Sequence, residues 1–90
     1  MNWTRDDIDA ARAEPLAPIL ERKGYRMRTL PGGTVLLSDY RGLVVRDNHW
    51  AWKAENLRGN TIDFFMAIEG ATFAETMAIL TAHGAAASGD

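Results

Sequence analysis

Eight side chains in the middle of this chain of 90 residues have the types and spacing to hold a polyanion. Arg26 and Arg28 alternate with apolar or small residues, and Arg46, His49 and Lys53 follow the same rhythm further on. Arg41 and Arg58 fall in adjoining loops, and Tyr40 lies in the loop after the first hairpin. Cations of this kind neutralise phosphates and release their counterions, while an exposed ring such as that of Tyr40 stacks on bases. The same charges also serve simply to solvate the open face of a small antiparallel sheet. The net charge of −2 conceals a division: residues 1–21 sum to −3, residues 22–60 to +5 and residues 61–90 to −4. A basic block within an acidic chain is a footprint of polyanion binding.

Other chemistries find less support. The chain has no cysteine, which removes disulfides, thiol nucleophiles and the common structural zinc sites and fits a reducing cytoplasm. His49 and His83 stand too far apart to make a metal site without thiolates, and solvated roles suit both. Asp6, Asp7 and Asp9 form an acidic group at a helix start, where carboxylates compensate the helix dipole, and nothing else resembles a two-metal centre. Asp63 and Glu75 read as helix caps. Pro31-Gly32-Gly33 is a turn and not a strand-to-helix phosphate cradle. Trp50 and Trp52 offer rings for stacking, but a domain this small needs them for packing. No catalytic residue, metal or cofactor is expected.

The positioning elements follow from periodicity. Thr4 caps a helix running to about Ala13, Pro15 restarts the chain, and Leu16, Ile19 and Leu20 mark a second short helix that Gly24 ends. From Tyr25 the period becomes two. Tyr25–Thr29 and Thr34–Ser38 flank the first turn, and Leu43–Arg46 and His49–Lys53 flank the two-residue turn Asp47-Asn48. Val45 then opposes Trp50 and Leu43 opposes Trp52, which places these four on an apolar face with Met27, Thr29, Val35 and Leu37. Val44, Arg46, His49, Ala51 and Lys53 share the other face with Arg26 and Arg28. Asn60 and Thr72 open two further helices, the first tracing Ile62, Phe65, Met66 and Glu69 up to Gly70, the second Phe73, Met77 and Leu80 up to about His83-Gly84.

The expected fold class is α+β: an N-terminal helical segment, an antiparallel sheet of about four strands, and a C-terminal helix pair packed on the apolar face. Residues 1–84 are read as one domain and residues 85–90 as a tail or linker. A domain of this length buries only about 60–65% of its unfolded surface, so one modest core must stabilise it. No apolar run approaches the ~18–20 residues of a membrane span and no secretory signal opens the chain, so no membrane partner and a cytoplasmic location are expected.

Residues 50–76 resemble the second half of the N-terminal zinc-ribbon domain of bacterial DnaG-type primases. The resemblance rests on Gly59-Asn60-x-Ile62-Asp63-Phe64 and, without a gap, on Thr72-Phe73-Ala74-Glu75. On that register the family's Cys-x-x-Cys falls on Trp52 and Glu55, and its earlier Cys-x-x-His pair falls near Leu37 to Arg41. No thiolate or imidazole ligand stands at those places, so the resemblance implies a zinc-less version in which Trp52 fills the volume of metal and thiolates. Such versions occur in primase-like and Toprim-containing proteins of phages and mobile elements.

The function expected on these grounds is noncatalytic binding of single-stranded DNA, or of an RNA–DNA primer–template, in a phage or mobile-element replication system. The alternative is a small protein-interaction module, or inhibitor, presenting its surface to a replication, host or defence protein, which the acidic flanks favour. An enzyme is the weakest option, for want of a nucleophile–base or metal constellation.

Overall fold

The computed structural model describes residues 3–82, so His83 and the tail at 85–90 lie outside the described residues. The chain forms α1 (Arg5–Ala13), α2 (Leu16–Arg22), β1 (Met27–Thr29), β2 (Val35–Leu37), β3 (Leu43–Arg46), β4 (His49–Trp52), a 3₁₀ turn (Lys53–Glu55), β5 (Leu57–Asn60), α3 (Thr61–Ala67) and α4 (Phe73–Ala82). The fold is α+β, with helices before and after a central antiparallel meander in the order β1-β2-β3-β4-β5. No helix among the described residues is long and apolar enough to cross a membrane.

Local sequence signals account for the helix ends. Thr4 accepts from the Asp7 amide while the Asp7 carboxylate accepts from the Thr4 amide. The same reciprocal pair forms at Asn60 with Asp63 and at Thr72 with Glu75. Each box satisfies two backbone donors that a helix start would otherwise leave without partners. Gly24, at φ +90, reverses the chain after α2, in a region of backbone space that side-chain-bearing residues disfavour. α3 is shorter than its apolar pattern predicts: it stops at Ala67, with Ile68 as its cap and Gly70 in the left-handed region.

The sheet has five strands where the sequence predicts about four. Leu57-Arg58-Gly59-Asn60 carries one large apolar residue, a glycine and an asparagine, a poor strand composition by propensity. It pairs because β4 would otherwise be an edge: Trp50 stands opposite Gly59, Ala51 opposite Arg58 and Trp52 opposite Leu57. Asn56, left-handed at φ 56, turns the 3₁₀ segment into this strand.

One face of the sheet is covered. Val35, Leu37, Leu43, Val45 and Trp50 are buried there with Ile62, Phe64 and Phe65 of α3. α3 packs on β5 and β4, α2 packs on β3, and α4 packs chiefly on α3 and α1, contributing Met77 and Leu80. The N-terminal helices are therefore part of the core, through Ala11, Leu16, Ile19 and Leu20. Two residues of the C-terminal stripes face outward instead: Met66 and Phe73 are exposed.

A polar clasp fixes the α1–α2 corner to the sheet. The Asn48 side chain donates to the Arg12 carbonyl (2.9 Å), the Leu16 amide to the Asp47 carbonyl (3.0 Å) and the Thr61 hydroxyl to the Glu14 carbonyl (2.6 Å). Two of these acceptors lie at the C-terminal end of α1, where carbonyls have no partner within the helix. The turn between β3 and β4 thus also caps a helix.

Candidate nucleic-acid interface

Cross-strand register assembles the uncovered face. One row runs Arg28, Leu36, Val44, Ala51, Arg58 across all five strands, and a second runs Arg46, His49, Asn60. Arg28, Arg46, His49 and Arg58 are exposed, while Leu36, Val44 and Ala51 are half-buried between them. The result is a shallow apolar strip with arginines at both ends. Ala51 is central: its small side chain leaves depressions bordered by His49, Arg58 and Gly59, by Val44 and Arg46, and by Lys53 and Leu57. None of the five strands contains an Asp or Glu. Among the described residues, no carboxylate forms an ion pair with Arg28, Arg41, Arg46, Lys53 or Arg58.

The expected residues are distributed as follows. Arg28, Arg46 and His49 stand on this face as strand parity predicts. Arg58, expected in a loop, is on β5 and completes the central row opposite Ala51. Lys53, expected on a strand, begins the 3₁₀ turn one residue past β4, still exposed beside Ala51 and Arg58. Arg26 continues the parity of Arg28 beyond β1, but its guanidinium is held by Asp39 at 2.6 Å. That contact pushes the Arg26 pKa above its ordinary value through the hydrogen bond and the opposite charge, and it takes up one of the guanidinium donors. Arg41 is exposed in the loop before β3.

Tyr40 is less exposed than its place in a loop predicts. It is half-buried, stacked on Tyr25 at 6.1 Å between centroids and edge-on to Trp52 at 5.7 Å. Both neighbours belong to the covered side, so the ring packs against the core and is only partly exposed. Trp50 is buried and donates its indole N–H to the Asn60 carbonyl (2.8 Å); Trp52 donates to the Arg41 carbonyl (2.9 Å). These contacts give each indole the polar partner that burial demands. The rings continue through Phe64, which meets Trp50, Phe65 and Tyr25 edge-on at 5.7, 5.4 and 6.1 Å.

Sequence reasoning missed two features. Leu36 occupies the middle of the uncovered face, and parity from Val35 and Leu37 would have found it. Tyr25, Glu69 and Lys23 form a half-buried cluster in which the Tyr25 hydroxyl donates to Glu69 and Lys23 pairs with the same carboxylate at 3.5 Å. Burial, followed by the hydrogen bond and charge of Glu69, pushes the Tyr25 pKa far up, so this phenol stays protonated. No local pattern announces a contact between residues 44 positions apart.

The places that the primase resemblance assigns to zinc ligands do not suit the ion. Leu37 is buried in the core, Asp39 is engaged by Arg26, Tyr40 and Trp52 are packed on each other, and Glu55 is exposed on the 3₁₀ turn. One exposed carboxylate with no thiolate or imidazole beside it is not a tetrahedral sulfur-rich site. Comparison with protein-family models, with curated proteins and with solved structures gave no match.

Proposed function

We propose that this protein is a noncatalytic nucleic-acid-binding module whose uncovered sheet face holds the phosphate backbone of a single strand or a primer–template. The observation that carries the reading is the central row Arg28-Leu36-Val44-Ala51-Arg58, with Arg46 and His49 beside it, on strands free of carboxylates. Exposed cations without intramolecular partners gain most from phosphates, whose condensed counterions they release. The strands themselves carry no carboxylate; Asp47 in the β3–β4 turn, Glu55 on the 3₁₀ turn and Asp63 beside Gly59 border them.

The primase-like reading has support from the loops as well. In a zinc ribbon the metal joins two loops; here the Tyr40–Trp52 ring contact and the bond from the Trp52 indole to the Arg41 carbonyl join the segments to which the resemblance assigns the ligand pairs. This favours descent of the binding face from a replication protein, with the metal replaced by aromatic packing. A partner would then supply any synthesis.

Fluorescence anisotropy with labelled oligonucleotides at low salt tests the proposal. Binding should be micromolar or weaker and should fall with salt at a log–log slope of about −2 on a single strand or about −3 on duplex, for roughly three phosphate contacts. The triple variant R28E/R46E/R58E should abolish it while keeping the thermal transition. Absence of binding to single strand, primer–template and duplex alike at low salt would overturn the reading and leave the protein-interaction alternative, which the exposed Leu57, Met66 and Phe73 favour.

A further inference from the structure

We infer that the uncovered face takes paired nucleic acid in preference to an unpaired strand, seating a duplex groove over the Leu36-Val44-Ala51 strip. The inference rests on the nucleic-acid reading above and narrows its ligand to the paired part of a primer–template.

Two observations lead there. An unpaired strand gives up base stacking and is normally compensated by aromatic platforms on the protein. Trp50 and Trp52 point to the covered side, Phe64 and Phe65 are buried, and Tyr25, Tyr40 and Trp3 pack on the core. Phe73 is exposed, but on α4. Among the described residues, the imidazole of His49 is the one aromatic ring on this face, and the strip itself is aliphatic. A duplex keeps its bases stacked internally and asks only for phosphate contacts.

Charge spacing points the same way. Arg28 and Arg58 lie at opposite ends of one row, four inter-strand steps apart, which is about 19 Å. Their long side chains can lean inward over a neutral strip to reach phosphates on both banks of a groove about 12 Å wide. A single backbone laid along either edge would engage one of these arginines, and one crossing the strands would meet both but set its bases on an aliphatic strip without a ring to stack on. Arg46, two residues along β3 from Val44, extends the contact in the groove direction.

The test is anisotropy at low salt with three labelled probes of one sequence: a blunt DNA duplex, its single strand, and an RNA–DNA hybrid. The duplex, the hybrid or both should bind about tenfold tighter than the strand, because only the strand lacks its stacking platform. R28E and R58E should each remove most of the duplex binding. Equal or tighter binding of the single strand would overturn this inference, and loss of that binding in R28E would show that the broader nucleic-acid reading survives. If no probe binds, both readings fall together. Circular dichroism melts of each variant, expected to match the parent, separate lost contacts from lost fold.

Discussion

The two faces of the sheet are built from alternate residues of the same strands, yet one is closed and the other open. On the covered face every large group has a neighbour: the Trp50 and Trp52 indoles have backbone acceptors, and Phe64 meets three rings. On the uncovered face Arg28, Arg46 and Arg58 reach into solvent without an ion-pair partner among the described residues. The difference teaches that stability and binding capacity are separated here by the two-residue period of a strand. Interactions completed within the molecule hold the fold, and on the proposed reading the incomplete ones are left for a polyanion.

Substitutions on the two faces should therefore behave oppositely. The largest loss is expected for F64A, which deletes a fully buried ring at the junction of α3 and the sheet: about 3–5 kcal/mol in denaturant unfolding, enough to leave a domain of this size largely unfolded. Next is G59A. A Cβ at this position would stand 2.5 Å from the Asp63 Cβ, which the capping box fixes against the strand, and the overlap should cost about 1–3 kcal/mol. A loss below measurement in G59A would show that β5 can move away from α3 freely.

A smaller effect, read through pH, concerns the Tyr25 cluster. The folded state holds the phenolic proton more tightly than the unfolded chain, whose tyrosine titrates near pH ~10. The contribution is complete below that value and is lost as pH rises above it, because only the unfolded state then sheds the proton. Chemical denaturation at neutral and alkaline pH should show a decline above pH ~10 that is reduced in Y25F. The smallest change belongs to the open face: R28E and R46E should each shift unfolding by no more than about 0.5 kcal/mol while weakening oligonucleotide binding. A large loss of stability in either would erase the distinction between the faces.

Much of this arrangement is legible along the chain. Thr4, Asn60 and Thr72 announce their helices because a capping box needs only residues three apart, and all three form. Asp47-Asn48 sets the register of its hairpin, from which the pairs Leu43–Trp52 and Val45–Trp50 follow. β5 escapes notice because Leu57-Arg58-Gly59-Asn60 has little strand propensity of its own; the free edge of β4 recruits it. Tyr40 escapes in the opposite sense. A tyrosine in a polar loop reads as exposed until Tyr25 and Trp52 arrive on either side of it.

The sequence by itself determined which side chains share a face of each strand and where the helices begin, since caps, turns and parity act over a few residues. Only the tertiary structure decided that Arg58 joins Arg28 across an aliphatic strip, that Tyr40 packs half-buried against the core side, and that Arg26 is held by Asp39. Those outcomes depend on contacts between distant segments, whose register and closure are fixed when the helices cover one face of the sheet and leave the other to solvent.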